Sequence, residues 1–219
     1  EYGCDVHAFF IKTAFQPEFE LADARTIADL CHASLTVIYH DVFDDEEVIK
    51  NRADRCYQCK TALFTLLRSA AAQGGYDILL DGTNASDNTD DRPGMKALEE
   101  LQVLSPLRLC GLTKEEIRRE SKDLGLPTWD KPSYACLATR IPTGTKLTKD
   151  ALQRAEDGEE AVRNLNFSDF RVRILGNTAK LELPAEQLEE AFRRKDELKE
   201  ALAPYFQSVA LDLKARKKE

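Results

Sequence analysis

Short apolar runs alternate with amphipathic helical stretches as far as Gly125, and no other feature of the chain restricts its fold more. Asp5-Val6-His7-Ala8-Phe9-Phe10-Ile11 suits a buried strand. Leu21, Ala24, Ala28 and Cys31 recur at helical spacing, which predicts an amphipathic helix over 18–33. Leu35-Thr-Val-Ile-Tyr39 reads as a second strand. A helix through Ala62–Leu67 then runs to Gly74-Gly75, where glycine ends it. Asp77–Leu80 and Gln102–Leu107 give a third and a fourth strand. Thr113-Lys114-Glu115-Glu116 is a capping-box start for a helix stopped by Gly125 and Pro127. Strand and helix alternating in this way imply a parallel sheet covered on both faces, an α/β fold.

The pattern changes after Ile141-Pro142-Thr143-Gly144. A helix from 148 to 165 precedes two strands, Phe170–Leu175 and Ala179–Leu183, whose Gly176-Asn177 junction is a hairpin signal. A helix from Glu186 to about Ala203 and a strand over Ser208–Leu213 complete the chain. The expected division is therefore a main α/β domain over 1–144 and a smaller α+β domain over 145–219. With 42% hydrophobic and 32% charged residues in 219, the chain can bury a core and is not disordered. The tail Lys214, Arg216, Lys217, Lys218 reads as a frayed basic end, and the acidic run Asp41, Asp44, Asp45, Glu46, Glu47 as a solvated face.

Three places carry residues suited to chemistry. In Arg55-Cys56-Tyr57-Gln58-Cys59-Lys60 two thiols stand one helical turn apart between two cations. Arg and Lys beside a thiol favour its thiolate, the form that binds metals and attacks electrophiles. Cys136, in Lys131-Pro-Ser-Tyr-Ala-Cys-Leu-Ala-Thr-Arg140, is on its own a buried small hydrophobe. With Cys56 and Cys59 it makes three thiolates, one short of a tetrahedral set, which suits a metal or cluster that must bind something else. A thioredoxin-type redox pair is the other reading of the Cys-x-x-Cys, and the motif opens a helix as that reading requires. The three histidines, His7, His32 and His40, show no ligand spacing to these thiols, and Cys4, Cys31 and Cys110 sit in apolar settings as expected core.

Asp81-Gly82-Thr83-Asn84 lies at the carboxyl end of an expected parallel strand, where open α/β sheets bind ligands. Asp87, Asp90, Asp91 and Arg92 follow and suit magnesium or phosphate; an ordinary turn explains the same residues equally well. Arg171 and Arg173 are two apart on a strand, with Phe170, Val172 and Ile174 on its other face. Paired guanidiniums suit a phosphate or carboxylate, and by pattern alone a solvated strand face is the plainer reading.

The ordered set Cys56-Tyr57-Gln58-Cys59-Lys60, Asp81-Gly82-Thr83-Asn84, Arg92-Pro93-Gly94, Ser105-Pro106-Leu107, Leu126-Pro-Thr-Trp-Asp-Lys-Pro132, Ala135-Cys136-Leu137 and Arg171-Val172-Arg173 resembles the LarE family. These are ATP-dependent sulfur transferases of nickel-pincer nucleotide cofactor synthesis. The resemblance implies a PP-loop domain like the adenine nucleotide alpha hydrolases, which splits ATP between its α and β phosphates and places AMP on a substrate carboxylate. Sulfur then displaces AMP. It implies a nicotinate-derived pyridinium mononucleotide as substrate and ATP with Mg2+ at Gly82, Thr83, Asn84 and Asp87. The substrate phosphate falls to Arg171 and Arg173, assisted by Arg140. Sulfur is delivered by Cys136 alone or by a [4Fe–4S] cluster on Cys56, Cys59 and Cys136, and with all three thiols in the sequence the cluster is the expected form. The family's phosphate loop, Ser-Gly-Gly-x-Asp-Ser, is not in the sequence. The resemblance therefore implies a domain incomplete at its N-terminus, with a first βα unit of about 30 residues or more upstream of Glu1. Without it the chain is not expected to hydrolyse ATP.

Two other readings remain at this point. A PP-loop tRNA thiolase is the first, since some of these also carry three-cysteine clusters, but the net charge of −8 opposes phosphate contacts along a nucleic acid. A non-catalytic metal- or nucleotide-binding remnant is the second. No apolar run reaches a membrane span and no leader is evident, so a cytoplasmic homo-oligomer without membrane or nucleic-acid partners is the expectation.

Overall fold

A computed structural model describes residues 3–87 and 93–216. The chain divides into two compact units, Glu1–Thr13 with Glu18–Lys131, and Ala14–Pro17 with Pro132–Glu219. The expected boundary at 144/145 thus differs from the observed one. Residues 132–144 join the second unit because their side chains and backbone bond to its helix and strands, as described below.

In the first unit β1 (His7–Lys12) and β2 (Ser34–Tyr39) pair in parallel, His7 opposite Ser34 and Lys12 opposite Tyr39. The helix between them, α1 (Glu18–Leu30), buries Leu21 and Ala28, and two turns of the helix separate those positions. Much of the acidic run has a structural task. The Asp41 carboxylate accepts from the Phe43 amide, and Asp45 caps α2 (Glu46–Ile49) by accepting from Glu47 and Val48. Helix α3 (Arg55–Gln73) starts at the Cys-x-x-Cys motif as expected, and α4 (Pro93–Glu100) packs along it. Two short elements follow, α5 (Pro106–Leu109) and α6 (Lys114–Asp123). The latter carries the full capping box, with Thr113 Oγ1 accepting from the Glu116 amide and Glu116 accepting from the Thr113 amide.

The third and fourth expected strands are a correction. Asp77–Leu80 and Gln102–Leu107 meet only at a parallel bridge, Leu80 opposite Leu104. Two backbone bonds make it, Leu104 N to Leu79 O and Asp81 N to Leu104 O, each 2.9 Å. The ladder stops there because Pro106 has no N–H to donate and takes the first position of α5. Ile78 and Leu80 stay exposed, so little apolar burial supports a longer pairing.

The second unit holds the larger sheet. β3 (Arg171–Leu175) and β4 (Thr178–Glu182) form the expected hairpin across Gly176-Asn177, with Gly176 at φ +61. β5 (Ser208–Leu211) joins β4 in parallel, which makes the sheet mixed. α7 (Lys149–Asn164) lies against β3, and its Gly158 is closely packed. A Cβ there would stand 2.9 Å from Phe206 Cε2 and 3.5 Å from Val172 Cγ1. The helix expected over 186–203 is two, α8 (Ala185–Arg193) and α9 (Lys195–Leu202), parted at Arg194. The Arg194 guanidinium donates to Leu165 O and to the Glu190 and Glu197 carboxylates, which fixes the break. Arg216 is not a frayed end, since its amide donates to Leu183 O and its guanidinium binds Asp169. Lys217 and Lys218 lie outside the described residues.

Candidate functional site

Cys56 and Cys59 are the second and fifth residues of α3, three residues apart and therefore on one face. Cys56 is exposed and Cys59 half-buried. The Arg55 side chain is buried beneath them; it donates to Asn51 Oδ1 at 2.5 Å and to Cys56 Sγ at 3.7 Å. Gly94 at the start of α4 sits against this turn. A Cβ would meet Lys60 Cδ at 2.9 Å and Cys56 O at 3.6 Å, so the glycine lets α4 close over the motif.

The Asp81–Asp87 loop also belongs to the first unit. Its polar groups are tied to one another: Asp81 accepts from Thr83 Oγ1 at 2.5 Å and Ser105 Oγ at 2.6 Å. Asn84 Oδ1 accepts from the Ser86 amide, and the Asp87 carboxylate accepts from the Asn84 amide at 3.0 Å. Arg108 donates to Asp87 O at 2.9 Å. Gly82 is exposed and open, with no atom within 4 Å of a built Cβ. Asp90, Asp91 and Arg92 lie outside the described residues.

The second unit gathers Arg140, Arg171 and Arg173 around the segment that carries Cys136. That thiol is half-buried between Ala135 and Leu137. Leu137 N donates to Phe15 O at 2.9 Å, while Thr139 N and Oγ1 both return to Cys136 O. Arg171 donates to Ser133 O at 2.5 Å and Arg173 to Thr139 O. The solvated-face reading of the two arginines is therefore overturned: Arg171 is 4% exposed, and the cysteine segment covers the strand. Arg140 is fully buried. Its Nε and Nη2 bind the two Glu159 oxygens at 2.6 and 3.1 Å, and Nη1 donates to Ala135 O and Thr139 Oγ1.

Electrostatics follow from that packing. Burial pulls Arg140 toward neutrality, but the Glu159 hydrogen bonds and charge, with Tyr134 and Cys136 nearby, leave it above its usual value. Arg171 falls below its usual value through burial first and then the charges of Arg140 and Arg216. Among the described residues it has no ion-pair partner. The Tyr134 hydroxyl is pushed well up, by burial and then by Glu159, to which it donates at 2.5 Å.

The reading of Cys4, Cys31 and Cys110 as core is also corrected, for all three are exposed. Cys31 follows Leu30, itself 53% exposed at the end of α1, and Cys110 caps the solvent-facing end of α5. None of the six cysteines is joined in a disulfide.

No family model matches the chain. An uncharacterized protein of Synechocystis sp. is 36% identical over 180 residues, 82% of this chain and 67% of the relative. An uncharacterized protein of Methanocaldococcus jannaschii is 32% identical over 93% of this chain and 78% of its own. The pyridinium-3,5-bisthiocarboxylic acid mononucleotide synthase of Lactiplantibacillus plantarum is 30% identical over 195 residues, 89% of this chain and 71% of that enzyme. The chain belongs to the LarE family.

In this LarE-family chain Glu159 is the residue that motif reading missed. It stands on the apolar stripe of α7 with Leu152, Ala155, Gly158 and Val162, and it is 1% exposed. A lone carboxylate at a core position of a helix was the available signal, because a buried charge demands a partner. Farther along the sheet, Glu182 binds Arg173 and Lys180, each at 3.0 Å. Burial raises its pKa, but the hydrogen bonds from Lys180 and Arg173 outweigh that effect and hold it below the usual value. A carboxylate held down in the native state stabilises it above its unfolded pKa, about 4.3 for Glu, and loses that contribution as pH falls through the native value. The Tm difference between the native chain and Glu182→Gln is accordingly expected to be largest at neutral pH and to close in acid. A difference that grows on acidification contradicts this.

Proposed function

We propose that the chain transfers sulfur to a carboxylate of a nicotinate-derived pyridinium mononucleotide in the synthesis of a nickel-pincer cofactor, with ATP activating the carboxylate. The observation that carries this reading is the 30% identity, across 89% of the chain, to the pyridinium-3,5-bisthiocarboxylic acid mononucleotide synthase. On this reading the first unit is a PP-loop domain whose open Gly82 loop, with Thr83, Asn84 and Asp87, takes ATP and Mg2+. The substrate phosphate goes to Arg171 and Arg173. Arg171 supports that role as a buried cation that has no ion-pair partner among the described residues, since an anion beside it relieves the desolvation that lowers its pKa.

The steps balance. A substrate carboxylate oxygen attacks the α-phosphorus of ATP and pyrophosphate leaves. The Cys136 thiolate attacks the acyl carbon, and AMP departs with the C–O bonding pair. Loss of the Cys136 Cα proton to solvent breaks its Cβ–S bond, which leaves a thiocarboxylate and dehydroalanine. Leaving-group activation is what this scheme requires of ATP, because a carboxylate oxygen does not leave unaided.

Cys56, Cys59 and Cys136 would be the donor set of a [4Fe–4S] cluster, the sulfur source that the presence of all three thiols favours. Soft thiolates are the right chemistry, and the first two stand on one helical face. Among the described residues no group of three or more His, Cys, Asp or Glu is gathered to hold a metal ion. The third thiol belongs to the second unit. Such a cluster would supply sulfide in place of the cysteine sulfur.

The deciding experiment supplies the chemically adenylated mononucleotide, so that ATP cleavage is bypassed. Thiocarboxylate and AMP are expected to appear together. Release of AMP with only carboxylate formed overturns the sulfur-transfer reading.

A further inference from the structure

Glu159 accepts four hydrogen bonds within the second unit. Two come from Arg140, one from the Tyr134 hydroxyl at 2.5 Å and one from the Val172 amide at 3.0 Å. Tyr134 and Arg140 flank Cys136 on either side in sequence, and Val172 lies between Arg171 and Arg173 on β3. One carboxylate on α7 therefore grips both ends of the cysteine segment and the strand that bears the two arginines. Arg140 passes the grip inward by donating to Ala135 O, the carbonyl next to the cysteine, at 3.1 Å. A core helix does not need a charge for packing, and a buried carboxylate carries a large desolvation cost. Its hydrogen-bond partners show what it is for.

The geometry points to Glu159 as the positioning residue of Cys136, holding the thiol-bearing segment in one conformation against β3 through Tyr134 and Arg140. This inference rests on the reading of Cys136 as the sulfur-bearing residue, but its test does not depend on turnover. The readout is the alkylation rate of Cys136 by iodoacetamide, divided by that of exposed Cys110 in the same 219-residue chain, followed by peptide mass spectrometry. Two variants are compared with the native chain well below their melting temperatures. Tyr134→Phe removes one contact and no charge. Glu159→Leu with Arg140→Met removes both ends of the grip without leaving a buried charge behind.

The ratio is expected to rise about tenfold in the double variant, the change that corresponds to about 1.4 kcal/mol of lost local holding, and by less in Tyr134→Phe. A double variant that is folded but keeps the native ratio overturns the proposal, even with a lowered Tm, because Glu159 is then a structural residue only. If the double variant does not fold, an unchanged ratio in Tyr134→Phe overturns it in the same way. Sulfur transfer that survives Cys136→Ala refutes the functional reading and leaves the alkylation result standing, so the two failures are distinguishable.

Discussion

Glu159→Leu as a single change is expected to destabilise the second unit by about 3–5 kcal/mol, the usual consequence of removing one member of a buried ion pair. Arg140 has no exposed surface, so its guanidinium cannot recover hydration when Glu159 is gone. Ala135 O and Thr139 Oγ1 remain as partners of Nη1, and both are neutral. The Tyr134 hydroxyl and Val172 amide lose their acceptor as well, and an unsatisfied buried group costs about 1–3 kcal/mol, so the ion-pair figure is the lower bound of the expected loss. The gain from the added apolar side chain is smaller than this total, because position 159 is already enclosed. Adding Arg140→Met to the same chain is expected to restore the part of the loss that comes from the unpaired guanidinium, since the attraction within a buried pair largely serves to offset its own desolvation, while the cost at the Tyr134 hydroxyl and the Val172 amide remains. Urea unfolding followed by hydrogen exchange at the α7 and β3 amides measures both variants. Native stability in the single variant, or a double variant no better than the single, contradicts the account.

Which parts of this architecture were legible in the sequence depends on how far away their causes lie. The capping box at Thr113 and Glu116, the Gly176-Asn177 hairpin and the helix opening at Arg55 are set within a few residues, and all three formed as expected. The Leu80–Leu104 pairing depends on a distant partner, and Pro106 limits it to one bridge. The break at Arg194 likewise depends on Leu165 O, an acceptor on another element. Cysteines posed a different difficulty. Cys31 has apolar neighbours at helical spacing, yet α1 turns its last residues outward, so composition placed it in the core and the backbone did not.

The sequence named residues for a candidate site and was silent on their arrangement. Cys136, Arg140, Arg171 and Arg173 were selected by type and order, and the second unit does bring them to one segment and one strand. What holds them there is Glu159, which lies outside every quoted motif. The Asp81–Asp87 loop shows the opposite case. Its turn chemistry and its suitability for a ligand come from the same residues, because Asp, Gly, Thr and Asn satisfy their own loop through Asp81 and Asp87 and still present Gly82 to solvent.

Cys136→Ala is expected to abolish thiocarboxylate formation from the adenylated mononucleotide, a loss beyond any other single change. Both proposed sulfur sources need this thiol: in one it is the sulfur lost, and in the other it is a ligand. Cys56→Ala and Cys59→Ala separate the two. If Cys136 gives up its own sulfur, both variants keep the single turnover, and the product chain carries dehydroalanine at 136. If a cluster supplies the sulfide, each of the three substitutions removes the iron and sulfide bound after anaerobic reconstitution, because a three-thiolate set has no spare ligand. Alanine is mild as a probe at position 56, which is exposed, and needs a stability control at 59, which is half-buried. Iron and sulfide contents unchanged in all three variants eliminate the cluster, and thiocarboxylate formed by Cys136→Ala eliminates both sources together.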